Sequence, residues 1–436
     1  MLPKKGVAHI VAIANAALRL RHFPHQWKKA DVVKIPKPGK NPTFPQNYRP
    51  ISLLPTLGKL FERIVHARLQ EEVDELGVVP ETQFGFRPRH STTHQALRVV
   101  EHVTERFNHK EATGAVFLDI SKAFDSVWHR GLLHKMLEAG ISLSMVQLIR
   151  SFLIGRSFRV KLRSCRSTGR RIEAGVPQGS VLSPLLWNIF VSDLPTSPRT
   201  ELALYADDTA ILASSRNAGI ISNRLQTAAD SLEDWYTDWR ISVNPEKSAA
   251  VLFQKRRLQP GPNITMFGRP IPWTNQVSYL GLLLDSKLTW RQHISSVVGK
   301  TSGAITALYP MLCRNSKLSL DNKLLLYKTV IRPVFTYASQ VWAYAAKTHI
   351  HRLQVLQNKT LRMICDAPWF VTNQRIREDL QMPTLQEFFT KSAASLEAAI
   401  ADHPNQQIQH LWSYDPSEPV GKHRRPKAAF QDNIQH

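Results

Sequence analysis

Over residues 56–76 apolar side chains recur at helical spacing, with Leu57, Leu60, Phe61, Ile64, Val65 and Leu69 on one face, and this period predicts an amphipathic helix. A second helix is predicted over residues 92–108, with Ser91 as its cap. Upstream of both, prolines crowd residues 34–42 and 47–54, where they prevent continuous helix and favour extended chain and turns. Residues 10–20 form a short apolar stretch interrupted by Asn15 and Arg19, which reads as an ordinary amphipathic helix. From residue 113 to 285 short apolar strands such as 115–118, 202–204 and 209–213 alternate with helices, the longest over 218–239. This alternation predicts an α+β fold in which helices back one face of an antiparallel sheet. After Trp290 strand signals fade and helical patterns take over at 293–312 and 319–345. In the second of these Leu324, Leu325, Tyr327, Val330 and Ile331 are the expected core, and Trp342 and Trp369 are expected to pack. The end of the chain shows little periodicity and carries the basic run Lys422-His423-Arg424-Arg425-Pro426-Lys427, so a partly disordered tail is expected.

With 436 residues the chain has room for two or three domains with substantial cores, and an apolar fraction of 43% supports a globular protein. Charge narrows the partner: a formal net charge of +23 favours a polyanion, bound in a salt-dependent way through counterion release. A nucleic acid fits better than a membrane surface, since there is no long apolar span and no signal peptide. Cys165, Cys313 and Cys365 stand far apart without a CxxC pair, and the histidines make no zinc spacing. This argues for a reducing, intracellular compartment and against a zinc knuckle.

The candidate chemistry lies in acidic residues at strand ends. Tyr205-Ala206-Asp207-Asp208 sits between two apolar runs, so Asp207 and Asp208 point out of a short hairpin, while Asp119 closes the strand at 115–118. Adjacent aspartates also occur in hairpin turns simply because they are solvated and hydrogen-bond their own backbone. Three carboxylates at the ends of neighbouring strands make an all-oxygen set suited to Mg²⁺, which keeps several waters and is completed by substrate phosphates. That arrangement points to two-metal phosphoryl transfer. A further block, Ala174-Gly175-Val176-Pro177-Gln178-Gly179-Ser180, runs towards Ser183-Pro184. Its glycines permit close backbone approach, and Ser183 and Pro184 read as a helix cap and first helical position.

In their order these blocks resemble the reverse transcriptases of non-LTR (LINE-type) retrotransposons, most closely those of insect jockey-like elements, over residues 23–385. The resemblance implies a right-hand polymerase architecture: fingers at 1–112, a palm at 113–287, an all-α thumb at 288–375 and a C-terminal extension at 376–436. It implies an RNA-directed DNA polymerase adding dNTPs to the 3′-hydroxyl of a DNA primer on an RNA template, with two Mg²⁺ ions for which Mn²⁺ can substitute.

By the same resemblance Asp119 and Asp207 bridge both ions, Asp208 completes the pair, and the Ile120 carbonyl is a further ligand. Phe124 stands where the family carries a ring against the nucleotide sugar, which would exclude a 2′-hydroxyl; the plain alternative is a ring packed under the strand. Asp125 fits a helix cap, and the Gln178 amide lies beside nucleotide and template. Arg49 and Arg87 correspond to basic side chains that reach the triphosphate, whose oxygens suit a guanidinium fork, or they are general charges of a basic chain. Lys247 is expected to help the leaving pyrophosphate as a proton donor, and residues 279–285 resemble the hairpin that holds the primer terminus.

The chain starts inside the finger region, with no room upstream for the endonuclease such elements carry, and no RNase H constellation follows the thumb. A portion of a polyprotein or a 5′-truncated copy is therefore expected. Two rival readings remain: a catalytically inactive truncated remnant that only binds nucleic acid, and an intron-encoded or telomerase-type relative. Segments 331–338 and 356–362 resemble the jockey-type C-terminal region and speak against the latter.

Overall fold

The computed structural model describes residues 3–412, except 38, 40, 45 and 46, together with residue 426. Strand Ala112–Ser121 occupies the middle of the largest sheet, antiparallel to Asp208–Ser215 on one side and to Ala249–Phe253 on the other. Thr200–Tyr205 pairs antiparallel outside Asp208–Ser215, Trp273–Thr274 runs parallel at the opposite edge, and Ser242–Val243 pairs with the end of the central strand.

Alternate residues of the central strand enter two different cores. Val116 and Leu118 pack with Ile211 and with Ile221 and Leu225 of helix Ala218–Asp238. Ala115 and Phe117 face the other way, joining Val99 and Val103 of helix Thr92–Asn108. The sheet is thus covered on both faces, not on one as the alternation of elements suggested. Burial on both sides explains why the strand reads as an unbroken apolar run.

A smaller sheet places Lys29–Pro36 between Tyr48–Leu53, antiparallel, and Ser157–Leu162, parallel. The helix expected over 56–76 spans Thr56–Glu75, but its buried stripe is Phe61, Val65, Leu69 and Val73, while Leu57 and Leu60 are exposed. Gly58 is buried on that same helix against Trp27, where an added Cβ would lie 3.1 Å from the Trp27 Cβ. Ser91 caps Thr92–Asn108 as expected, its side chain accepting from the His94 amide. Ser183 does not cap: Leu182 holds the cap position of helix Ser183–Phe190, and the Ser183 hydroxyl donates to the Pro177 carbonyl at 2.9 Å.

The helical half begins with Arg291–Leu312. The single helix expected over 319–345 is broken into Leu320–Leu326, a π turn at Tyr327–Ile331, Arg332–Thr336 and Ser339–Trp342. Pro333 has no amide hydrogen to donate, and Ala338 takes a left-handed φ of 49°. The π turn shifts the buried face, so Leu324, Tyr327 and Ile331 are buried while Leu325 and Val330 are exposed. Trp342 packs fully, whereas Trp369, expected to pack, is 90% exposed. Within the C-terminal extension Leu385–Ala401 forms a helix opened by a Thr384–Glu387 capping box, and Phe389, Ile400 and Ile408 enter the second core. The basic run at 422–427 lies outside the described residues, residue 426 excepted. Among the described residues no helix is long and apolar enough to cross a membrane.

Candidate active site

Register brings the acidic strand ends together. Asp119 and Asp208 are directly paired across the antiparallel ladder, so their side chains share one face, and Asp207 occupies the turn beside them. The turn residue Ala206 has φ 57°, a left-handed conformation that is costly for a residue with a Cβ. Buried partners hold it there. Its N–H donates to Gln83 Oε1 at 2.9 Å, and its carbonyl accepts from Trp187 Nε1 at 3.0 Å and Gln83 Nε2 at 3.3 Å. Gln83 Oε1 also accepts from the Gly85 amide at 2.8 Å, while Asn188 Nδ2 donates to the Gly85 carbonyl at 2.9 Å.

Sequence reasoning missed this cradle of Gln83, Gly85, Trp187 and Asn188. One signal was present, since Asn188 interrupts an otherwise apolar helix, and a buried amide there requires partners.

The central strand is fixed from the other side by residues 244–248. The Asp119 amide donates to Ser248 Oγ at 3.1 Å, and the Asp119 carbonyl accepts from the Asn244 amide at 2.9 Å. This turn sets Lys247 Nζ 3.8 Å from Asp119 Oδ2. Ile120 is the next ladder residue and pairs with Val243.

Asp207 and Asp208 reach solvent at the hairpin tip, yet protein crowds them enough to disfavour their charged forms. Asp208 is pushed up to about 6, first by burial and then by the negative charges of Asp207 and Asp119. Asp207 is also raised, by burial foremost and by Asp119, against a backbone hydrogen bond and the Arg49 charge, which pull it down. Arg49, on strand Tyr48–Leu53, is therefore within electrostatic reach of the carboxylates.

Arg87 is engaged elsewhere. Its Nη1 donates to the Pro80 carbonyl at 3.0 Å and the Gln83 carbonyl at 3.4 Å, so it braces the loop that carries Gln83.

Phe124 is half-buried between Phe86, 5.8 Å away edge-on, and Trp187, 5.9 Å away. Its carbonyl accepts from the Val176 amide at 2.7 Å, and the Gly175 amide donates to the Val127 carbonyl at 2.8 Å. Gly175 has φ 84°, and a Cβ there would lie 2.6 Å from the Asp125 carbonyl oxygen, so only glycine allows this contact. Asp125 does not cap a helix; its Oδ1 accepts from Gln178 Nε2 at 3.4 Å. The Gln178 carbonyl accepts from the Ser52 amide at 2.8 Å, which ties the loop to the smaller sheet. Between them lies a cavity of about 360 Å³ walled by Val32, Ser52, Asp125, Arg171 and Gln178.

Behind this loop Glu62 is fully buried, and one carboxylate oxygen accepts from both the Ser180 hydroxyl and the Val181 amide at 2.6 Å. Arg156 is buried alongside, pulled down to about 10 by desolvation while Glu62 opposes the shift.

Among the described residues no group of three or more His, Cys, Asp or Glu side chains converges as a ready metal cage. The carboxylates still suit a hard divalent cation, for two reasons. Their donor atoms are all oxygen, and burial together with their mutual repulsion raises the pKa values of Asp207 and Asp208, a cost of charge that a cation would relieve. The remaining coordination would come from water and phosphate.

An α+β fold with a pair of register-matched aspartates and a third at the adjoining turn, flanked by a smaller sheet and a helical half, is the architecture of the right-hand polymerase fold. Residues 35–284 match the model of the family described as reverse transcriptase (RNA-dependent DNA polymerase), and the chain belongs to that family. It is 39% identical, over 94% of its length, to the RNA-directed DNA polymerase from mobile element jockey of Drosophila funebris, a non-LTR element. It is 37% identical, again over 94%, to the probable RNA-directed DNA polymerase from transposon X-element of Drosophila melanogaster. The chain spans about half the length of these relatives, 46% of each. Among solved structures, apo telomerase from Candida Tropicalis overlays loosely, at a TM-score of 0.45 and 11% identity, over 88% of this chain and 64% of that one.

Proposed function

We propose that this chain is an RNA-directed DNA polymerase of a non-LTR retrotransposon, adding dNTPs to the 3′-hydroxyl of a DNA primer paired to an RNA template. The observation that carries the reading is the ladder pairing of Asp119 with Asp208, with Asp207 at the turn beside them. Asp119 and Asp207 would hold two Mg²⁺ ions, with Asp208 and the Ile120 carbonyl completing the set and Mn²⁺ as a substitute. When bound, such ions stabilise the attacking and departing oxygens of an in-line displacement.

The chain's own residues supply position and charge. Phe124, braced by Trp187 and Phe86, stands as the wall that a 2′-hydroxyl would meet. Gln178 presents its amide to the cavity between the finger sheet and the palm, towards template and nucleotide. Arg49 supplies positive charge near the triphosphate, and Lys247, beside Asp119, is in position to protonate the leaving pyrophosphate. Arg87 joins the triphosphate only by releasing the Pro80 and Gln83 carbonyls.

The divisions are fingers at 1–112, palm at 113–287, thumb at 288–375 and an extension beyond. The three cysteines are free, which fits a reducing compartment inside the cell, cytoplasm or nucleus.

The test is extension of a labelled DNA primer on an RNA template with dNTPs and Mg²⁺, repeated with rNTPs and with Asp207→Ala. Extension confined to dNTPs and lowered about 10³-fold or more in the variant supports the reading. Salt-sensitive duplex binding without extension by either protein identifies instead an inactive remnant that only binds nucleic acid.

A further inference from the structure

At the end of the palm sheet opposite the carboxylates the chain forms a basic cavity of about 420 Å³. Its wall carries Lys110, Arg216, Lys255, Arg256 and Arg257, with Glu111 as the one acidic side chain. That acid is already engaged, since Arg106 Nη1 lies 3.6 Å from its Oε2. Among the described residues the side chains of Lys110, Arg216, Arg256 and Arg257 have no ion pair or hydrogen-bond partner.

The place of the cavity follows from register. Ala112 pairs with Ser215 and Thr113 with Phe253, so the chain leaves both neighbouring strands here, at the far end of the strand that carries Asp119. Seven residues of extended strand separate Ala112 from Asp119, about 23 Å at 3.3 Å per residue.

The basic wall is built rather than incidental. Gln254 closes the turn at residues 254–258 by two hydrogen bonds to Leu258, 2.7 Å from its Nε2 to the Leu258 carbonyl and 2.6 Å from the Leu258 amide to its Oε1. The Gln254 amide ties the turn to the Ser286 carbonyl at 2.9 Å. Lys255 donates to the Lys287 carbonyl and lies 4.9 Å from the centre of the Phe107 ring. Arg256 and Arg257 are thus displayed from a braced turn, which lowers the ordering cost of gripping an anion. Like charges gathered without counter-charge repel one another, and a polyanion relieves that repulsion.

We propose that this cavity is a second phosphate-backbone site, separate from the catalytic cleft, that takes a single-stranded extension of the template RNA. A cavity of about 420 Å³ is small beside a duplex, and an unpaired strand, free to bend its phosphates towards the arginines, is the better match. Only the identity of the strand as template rests on the polymerase reading; the anion chemistry stands without it.

The test uses the full chain with its cleft filled by a DNA-primed RNA duplex lacking overhangs, titrated with fluorescein-labelled single-stranded RNA across a salt series. The variants are an Arg216→Ser, Arg256→Ser, Arg257→Ser triple, the same positions as Lys, and a control triple at the exposed Lys4, Lys5 and Arg19. The serine triple should bind RNA at least tenfold more weakly and flatten the salt slope by about two, with the lysine triple near wild type and the control little changed. Extension on a primed template whose single-stranded overhang is only a few nucleotides long should be unaltered, whereas a template with a long single-stranded extension should be copied less well by the serine triple.

Equal losses in the serine and control triples would overturn the proposal by reducing the effect to net charge. An acidic peptide that binds the wild type where RNA does not would also overturn it, assigning the surface to a protein partner. If no protein extends a primer yet the serine triple alone loses RNA binding, the polymerase reading falls and the phosphate site stands.

Discussion

Gly85 and Ala206 touch backbone to backbone: a Cβ built on Gly85 would lie 2.0 Å from the Ala206 amide nitrogen. Ala206 is the left-handed residue that turns the chain into Asp207, so the segment around Gly85 forms the floor on which the Asp207–Asp208 hairpin rests.

Gly85→Ala must therefore push the Asp207 turn away from Asp119. A displacement of about 1 Å costs about 100-fold in turnover. Primer extension at saturating dNTP is expected to fall by that factor while duplex affinity, measured by anisotropy, stays within about twofold of wild type. A fully active Gly85→Ala enzyme would show that the hairpin does not depend on this contact.

Asp208→Asn should separate stability from activity. The folded-state pKa of Asp208 is raised to about 6, by burial first and then by Asp207 and Asp119, so the fold favours the neutral acid. Its contribution is complete below the ordinary carboxylate range, around pH 4, and is lost as pH rises through about 6. An amide stays neutral throughout, so the variant should be more stable than wild type above pH 6, by about 1 kcal/mol after solvent screening, with no difference below about pH 4. Denaturant unfolding at several pH values without divalent metal reads this directly. Added Mg²⁺ should raise the melting temperature of wild type more than that of the variant.

Phe124→Val tests the wall beside the nucleotide. Removing a ring held by Phe86 and Trp187 opens space where a 2′-hydroxyl would fit. The ratio of rNTP to dNTP incorporation is expected to rise roughly 10- to 100-fold in single-nucleotide kinetics. An unchanged ratio, with lowered stability alone, would assign Phe124 to packing.

Glu62 holds the Gln178 loop from behind, through Ser180 and Val181. Glu62→Ala removes both hydrogen bonds and leaves Arg156 buried without its nearby opposite charge, a loss of about 3 kcal/mol in urea unfolding. Glu62→Gln keeps a carbonyl acceptor and should lose less. If the glutamine variant is as unstable as the alanine one, the charge beside Arg156 matters more than the loop contacts.

Much of the site was legible because its signals are local. Strand 115–118 ended in an acid, the turn placed two acids together, and Gly175 announced a close backbone approach that Asp125 now fills. Arg87 illustrates the opposite case, since nothing in its neighbours in sequence tells whether its guanidinium faces a substrate or the carbonyls of Pro80 and Gln83. Leu57 and Leu60 likewise fit the helical period, yet the face that packs into the core is the one carrying Phe61, Val65, Leu69 and Val73.

Periodicity and turn preference sufficed for the α+β class and for placing the three aspartates at strand ends, because they act over a few neighbouring residues. The order of blocks that set these aspartates apart from ordinary turn residues came from the family resemblance. Tertiary structure decided the rest: the pairing of Asp119 with Asp208, the grip of Gln83 on Ala206 across 123 positions, and the basic cavity at the far end of the sheet. Register and long-range hydrogen bonds depend on which distant segments share a core, and no local period records that choice.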